Sequence, residues 1–597
     1  MKNSSATSID PILFEVIRNG LQATNNEMAL VIAKTAYSTP VNEGRDFSST
    51  IYDSEGNLAS QGQFDLPGFT GVTLLTVPHV IASIGIEKMR EGDVYLINDP
   101  YVASTHCNDV HAVKPVFLDG CIVAFVATAA HWSDVGGAVP GSLSAWARSH
   151  FEEGIRIPVV TAVKAGEMNH DLMDLLWANM RQSWERKGDF HAQLSALAAG
   201  EKRIREIAMH YGVNELSQTM AQVQDHSERL IRAALASMPD GTYLSHDSID
   251  QDVHTGETKT IRLALTIRGD EAQFDLTGSD SAAECAFNCP LPATTSAVFI
   301  ALASILPPMP TNAGLMRAVT INTVPGSIVH ALPPSPVSGM VATTMECVVS
   351  VSTLALSLAF PERGAASPFS ILNAVMAGFD DRAEFSSSYI NYAWGFGGLG
   401  ATLTNDGATC VGSPYASTTQ YTPCELQERR YPVLYWRNMF LQDHGGPGRT
   451  RGGLGHDQIV IFTHSAGTLS CVGNREKVGP PGVFGGSPGR LAHLILNHGA
   501  EDERNAGIFA ANAFVDKAEH ISYWSAGGGG YGDPLEREVE RVLEDVLDEY
   551  VSIERAQSDY GVIVNVFDWR KLDVRVDLDA TTKLRTEMRD SKDGVSL

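Results

Sequence analysis

Asp109-Val110-His111-Ala112-Val113-Lys114-Pro115-Val116-Phe117, then Leu118-Asp119-Gly120-Cys121, then Ile122-Val123-Ala124-Phe125-Val126-Ala127-Thr128-Ala129-Ala130: this stretch decides how the chain is read. Both long runs are apolar and β-rich, and Asp-Gly between them is a strong two-residue hairpin turn. A hairpin centred on Asp119-Gly120 places His131 across from Asn108, beside Asp109 and diagonally near His106. Diagonal neighbours on a sheet stay within reach of long side chains. Two imidazoles and a carboxylate thus meet at one hairpin end, the donor types of a metal site.

Upstream, Val94 to Asn98 reads as a short strand entering the Thr105-His106-Cys107-Asn108-Asp109 loop. Arg45 to Ala59 reads as strand, turn, strand, and Leu75 to Met89 as a helix. Leu13, Ile17, Leu21, Met28, Val31 and Ala36 recur with helical spacing over Pro11 to Tyr37, behind Asp10 as N-cap. Downstream, Leu172 to Tyr211 and Glu215 to Met238 read as a long helical hairpin or bundle that serves structure or subunit contact. After Asp240-Gly241 the pattern turns to strands, with helices at Ala293–Leu306 and Val341–Ala359. Ala365 to Gly467 is strand- and glycine-rich, and a C-terminal helix is expected over Leu535–Gln557, with a frayed polar tail over the last residues.

The expected class is mixed α/β (α+β), multi-domain, with mixed and antiparallel sheets plus a helical hairpin or bundle insertion. The regions are 1–170 with the metal site, 171–238 helical, 239–365 α/β, 366–534 glycine- and β-rich, and 535–597 a helix and tail. A chain of 597 residues exceeds one ordinary domain. Its net charge of −26 argues against nucleic acid or an anionic membrane as partner, since both need a basic patch. The first residues lack the apolar core of a signal peptide, and no apolar run reaches the length that crosses a bilayer. Eight cysteines scattered over so long a chain suit reduced thiols and a cytoplasmic location.

His106 and Asp109 form a His-x-x-Asp pair, and Asp46 in Gly44-Arg45-Asp46-Phe47 could add a carboxylate from a loop. Such a set suits Zn²⁺, Mn²⁺ or Fe²⁺; the competing reading is a hydrogen-bonded polar cluster at a strand end. His111 shares a strand face with Asp109 and is expected behind the ligands or in the core. Asp134 could orient His131. Glu153, in Glu153-Gly154-Ile155-Arg156-Ile157-Pro158, could serve as general base, against the alternative of a surface salt-bridge cluster with His150, Glu152 and Arg156. Asp99 before Pro100 is expected to form a turn. Gly445 to Gly455 lacks the Lys-Ser/Thr ending of a P-loop, and Gly527 to Gly530 is expected to form tight turns.

These segments together resemble the hydantoinase B/oxoprolinase family over roughly residues 8 to 565. The resemblance is carried by Arg45-Asp46-Phe47-Ser48, Asn98-Asp99-Pro100-Tyr101, Thr105-His106-Cys107-Asn108-Asp109, Ala130-His131-Trp132-Ser133-Asp134-Val135-Gly136-Gly137 and Glu153 to Pro158. Asp275 to Ser279, Asn312-Ala313-Gly314, Arg430-Tyr431-Pro432, Gly445 to Gly455 and Gly527 to Pro534 follow in the same order. The resemblance implies the metal-bearing subunit of a two-part machine. Its partner would be a hydantoinase A-like ATPase that phosphorylates the substrate oxygen with ATP. This subunit would then open a hydantoin or lactam ring by attack of water, within a hetero-oligomer. It implies one divalent metal ion, zinc or manganese first, on Asp46, His106, Asp109 and His131. Glu153 or Asp134, as nearby carboxylates, are expected to take the proton. Two alternatives stay open: a subunit of an ATP-dependent ketone carboxylase, and a non-catalytic scaffold with a structural metal. The chain departs from the family at Gln63 to Gly71, which lacks a His-Ile-Pro-Val-His-like segment, and at Trp132, where relatives often carry a second histidine. Phe64, Phe69 and Trp132 are therefore expected either to face an apolar substrate or to pack in the core.

Overall fold

A computed structural model describes residues 10–382 and 387–593. Its first half is built on one antiparallel seven-stranded sheet. α1 (Pro11–Thr35) starts at Asp10, whose carboxylate accepts the Ile12 and Leu13 amides at 2.8 and 3.2 Å. α2 (Thr39–Asn42) leads into β1 (Phe47–Tyr52) and β2 (Leu58–Gln61). After α3 (Thr70–Ile84) come β3 (Val94–Ile97), β4 (Asp109–Leu118), β5 (Cys121–His131), β6 (Val160–Lys164) and β7 (Glu167–Met168). The strand order is β2-β1-β5-β4-β3-β6-β7.

The central hairpin turns at Asp119 and Gly120, both left-handed at φ 52 and 79. Leu118 pairs with Cys121 and Phe117 with Ile122, but Val116 then pairs with Ala124. Val123 is left without a partner, a bulge that adds one residue to β5. Beyond it Asp109 stands opposite His131, where the unbulged register would have put Asn108. The difference is decisive, because a one-residue slip sends side chains to opposite faces. Without the bulge Asp109 and His131 would point away from each other.

The two faces of this sheet carry different cores. Val110, Ala112, Ala124, Val126, Ala130 and Trp132 meet α1 and α5 (Ser183–Tyr211) in one cluster, with Met173, Leu176 and Trp177 of α4 (His170–Ala178). Phe125, Ala127, Val113, Tyr95 and Tyr52 pack on Val77 and Val80 of α3 on the other. The helical stretch from Met173 to Met220 therefore shares the sheet's core, while Ile231, Leu235 and Met238 join the core of the middle of the chain. It continues through α6 (Val213–Ala236). By length and composition alone Pro67–Ile84 could cross a bilayer, with a mean hydropathy of 1.3, contrary to the sequence expectation. Its buried residues pack inside the protein, and a Cβ on Gly71 would lie 2.3 Å from the Ser296 nitrogen.

The middle of the chain forms β8 (Gly241–Ile249), β9 (Lys259–Arg268), β10 (Glu271–Asp275) and β11 (Val319–Asn322), with β10 and β11 parallel. Against this mixed sheet lie α7 (Leu291–Ile305) and α8 (Thr344–Ala359), buried along almost their whole length. Two antiparallel sheets follow. β12 (Leu372–Asp380), β13 (Ser387–Gly395), β16 (Gly467–Val472) and β19 (Ala513–Val515) make one. β14 (Val433–Phe440), β15 (His456–Phe462), β17 (His493–Leu496), β18 (Arg504–Asn505) and β20 (His520–Trp524) make the other, with α9 (Cys424–Arg430) leading into β14.

The glycine-rich segments form neither a nucleotide loop nor isolated tight turns. They run as extended chains in mutual backbone contact. The amides of Gly527, Gly528, Gly529 and Gly530 donate to the carbonyls of Arg490, Gly453, Ser367 and Ser487. A Cβ on Gly528 would sit 1.9 Å from the Leu399 carbonyl oxygen. These amides are spent within the fold and offer nothing to an anion. The expected C-terminal helix is two, α10 (Val539–Leu547) and α11 (Ile553–Tyr560). A final helix, α12 (Leu578–Asp593), covers most of the tail expected to fray; it lies behind the hairpin β21 (Val564–Asp568) and β22 (Asp573–Val576).

Candidate metal centre

Three adjacent strands end at one level. β1 pairs Phe47 with Ala130, so Asp46 lies next to His131, whose amide donates to the Asp46 carbonyl at 3.1 Å. β4 brings Asp109 against the other side of His131, with the imidazole Nδ1 3.1 Å from Oδ1. His106, one turn before Asp109, brings Nε2 to 3.4 Å from Oδ2. His106, Asp109 and His131 are all buried, and one ligand atom from each lies within 4.8 Å of the others. Asp46 Oδ2 is 3.9 Å from His131 Nδ1.

The chain spends several polar groups to hold this arrangement. Thr105 donates its hydroxyl to Asp109, and Ser104 donates to the Asp109 and His106 carbonyls. Asn108 places Oδ1 3.3 Å from His106 Nδ1 and donates Nδ2 to the Trp132 and Gly141 carbonyls. Asn98 ties the loop to its neighbours, donating to the carbonyls of Cys107 and Ile155 and accepting the Ile157 amide.

Electrostatics press in one direction. Burial pushes the Asp46 carboxyl up to about 7, with His131 pulling it back and Asp109 adding to the rise. Burial lifts Asp109 to about 6, and it holds His106 and His131 below the ordinary imidazole range. Two carboxylates and two neutral imidazoles in a dry site want a cation. Two buried atoms there have no partner among the described residues, Asp46 Oδ1 and His131 Nε2. Buried polar atoms are seldom left so. The donor set fits a divalent ion.

The cavity beside these residues is about 30 Å³. Its walls include Phe69, Leu143, Met345, Tyr392, Trp394 and Tyr415. Tyr392 meets the His131 ring edge-on at 5.3 Å and donates to the Ser133 and Gly141 carbonyls. Sequence reasoning did not find the walls from Tyr392 onward, since they come from segments hundreds of residues away with no local signal.

The other residues expected at the site lie elsewhere. Glu153 is buried, and its carboxylate accepts the Val337 and Ser338 amides at 2.7 to 2.9 Å. It fixes the short 3-10 turn that brings Val341 to the cavity and is not itself in the wall. Asp134 accepts the Gly136, Gly141 and Arg181 amides and pairs with the Arg181 guanidinium at 3.0 Å. It braces the loop on which Tyr392 rests, and His131 turns to Asp109 instead. His111 is buried edge-on to Phe69, outside the ligand set. Asp99 caps its turn by accepting the Tyr101 amide. Trp132 points to the far face of the sheet, stacked among Trp177 and Phe190 and bonded to Gln193. Phe64 is exposed, which leaves Phe69 as the one of the three aromatic candidates in the wall.

Comparisons with known proteins agree along nearly the whole chain. The family model for hydantoinase B/oxoprolinase matches residues 10–534. The beta subunit of the caprolactamase of Pseudomonas jessenii is 31% identical over 94% of this chain and 97% of its own. A putative D-/L-hydantoinase chain of Pseudomonas sp. (strain NS671) is 28% identical over 97% of this chain and 98% of its own. In structure, a chain of the ATP-dependent caprolactamase from Pseudomonas jessenii superposes with a TM-score of 0.86 at 30% identity, over 97% of this chain and 100% of that one. An acetone carboxylase chain shares the fold, with a TM-score of 0.89 at 19% identity over 99% of this chain and 84% of that one.

Proposed function

The chain belongs to the hydantoinase B/oxoprolinase family, and from that premise we propose that it is the metal-bearing subunit of an ATP-dependent cyclic-amide hydrolase. The observation that carries this reading is the end-to-end likeness to the beta subunit of a caprolactamase. The likeness to acetone carboxylase is one of fold and does not favour ketone carboxylation.

An amide resists water because resonance weakens its carbonyl as an electrophile. Phosphorylating the carbonyl oxygen removes that resistance, and a hydantoinase A-like ATPase partner would supply the step. A divalent ion on Asp46, His106, Asp109 and His131, zinc or manganese, would supply an acidified and oriented water. The chain's own residues do the rest. Thr105 and Asn108 hold Asp109 and His106 in place. Phe69, Leu143, Met345 and Trp394 keep the site dry, which strengthens every charge interaction within it. Two wall pieces, Leu66–Phe69 and Tyr415–Thr419, fall at short 3-10 turns outside the sheets.

Reconstitution with the partner subunit tests the proposal. ATP-dependent ring opening of a lactam or hydantoin without bicarbonate is expected, with neither subunit active alone. Bicarbonate-dependent loss of a ketone, with cyclic amides untouched, would assign the chain to the carboxylases instead. Full activity after loss of metal would make the ion structural.

A further inference from the structure

A phosphorylated amide that has added water carries two leaving groups on one carbon, phosphate and the ring nitrogen. Loss of phosphate only regenerates the amide, and the ATP is spent for nothing. Loss of nitrogen gives an acyl phosphate, which a second water converts to carboxylate and phosphate. Nitrogen departs only as it is protonated, so productive hydrolysis needs an acid aimed at it.

Most proton-bearing groups in the cavity wall are committed. The Tyr392 hydroxyl donates to the Ser133 and Gly141 carbonyls, Thr105 donates to Asp109, and both histidines belong to the ligand set. Tyr415 donates to no carbonyl or carboxylate among the described residues. It lines the cavity with the candidate ligands, its ring resting on Gly68 and its hydroxyl oxygen accepting from the Asn373 side chain. Behind it lies Glu346 of α8, 1% exposed. Glu346 Oε2 has no partner, and Oε1 receives only a 3.5 Å contact from the amide of Ile371, another wall residue. The helix that carries Glu346 packs against the short 3-10 turn Pro414–Ala416, which holds Tyr415 and follows Ser413. Arg475, the cation whose charge bears on Glu346, is held by both oxygens of Asp247 at 2.8 and 2.7 Å.

Resting on the hydrolase reading above, we propose that Tyr415 is the acid that protonates the departing nitrogen and that Glu346 replaces its proton. The phenol O–H bond breaks as the N–H bond forms, the C–N electron pair leaves with nitrogen, and the hydroxyl from the added water gives its proton to solvent as its O–H pair closes the acyl carbonyl. The Glu346 O–H bond breaks as the phenol is restored. Glu346, left as carboxylate in the field of Arg475, is reprotonated from water. Concerted transfer matters here, because a free tyrosinate beside Asp46 and Asp109 would be costly. Burial lifts the Glu346 carboxyl to about 8, so at neutral pH it holds the proton this role requires.

The reconstituted complex reports the role as phosphate released per ring opened. Tyr415→Phe and Glu346→Gln are each expected to raise that ratio at least tenfold, with metal content and KM unchanged. Glu346→Asp should recover part of the coupling. An unchanged ratio in both variants overturns the proposal, since a purely structural loss slows turnover without diverting phosphate. Infrared spectra of the isolated chain provide a second arm that needs no substrate. A component of the protonated-carboxyl band at neutral pH that is lost in Glu346→Gln, beyond what Asp46 and Glu153 contribute, is expected, and identical bands in wild type and variant overturn the proton reserve. A complex that opens no cyclic amide although the band is present rejects the hydrolase reading and the role of Tyr415 together.

Discussion

Asp109 and His131 stand directly opposite each other across the central hairpin, carboxylate and imidazole 3.1 Å apart, because Val123 has no partner. The bulge lies far from the candidate site, yet it sets which face each candidate ligand occupies.

Deleting Lys114 from β4 is therefore expected to abolish metal binding while leaving every candidate ligand in the sequence. With the Val123 bulge kept, the shortened β4 puts Asn108 opposite His131 and turns Asp109 to the other face. Elemental analysis of the purified variant should find the divalent ion lost, as it should for His131→Ala. In the wild type, metal at 100 times its Kd should raise stability by about 2.7 kcal/mol in a chelator-reversible way.

Glu153 is expected to govern stability and its pH dependence rather than turnover. Its folded carboxyl is pushed by burial from 4.5 to about 7. A raised carboxyl favours folding fully below the unfolded value and loses that contribution as pH rises through about 7, on the order of 3 kcal/mol. Glu153→Gln should flatten this fall in urea titrations at pH 5 to 8. It should keep the metal, and keep activity within a few fold. A folded, metal-loaded Glu153→Gln with no turnover would return Glu153 to the reaction.

Phe69 and Trp132 should separate cleanly. Phe69→Ala opens the cavity wall and is expected to shift KM toward larger rings. Trp132→Phe strands the Gln193 carbonyl oxygen on the far side of the sheet, at about 1–3 kcal/mol, and should leave KM alone. A change in substrate preference from Trp132→Phe alone would contradict this placement.

Gly528→Ala is expected to fold poorly or to lose about 3 kcal/mol or more, because the added methyl meets a backbone oxygen that cannot retreat. Thermal unfolding checks this directly. By contrast, Gly166→Ala meets no atom within 4 Å, and its loss should reflect only its left-handed backbone at φ 89.

Much of the site was legible because it is local. His106, Asp109 and His131 lie at the mouth of a hairpin announced by its Asp-Gly turn, and Asp46 sits just before an adjacent strand. The bulge was not legible, since an apolar run such as Ile122 to Ala130 carries no mark of which residue will be left unpaired. Glu153 and Asp134 looked like chemistry for the same reason. A carboxylate beside a motif reads alike whether it meets substrate or backbone amides, and here it meets the Val337, Gly141 and Arg181 amides.

By itself, the sequence determined the class of elements, the turn at Asp119-Gly120, the residue types of the candidate site and the family. Periodicity, turn chemistry and the order of short motifs are all written along the chain. Only the tertiary structure decided the register that faces Asp109 to His131, the fate of Trp132, and the wall of Tyr392, Trp394 and Tyr415. Each depends on contacts between segments far apart in sequence, where packing against a neighbour, not local preference, selects the face that a side chain presents.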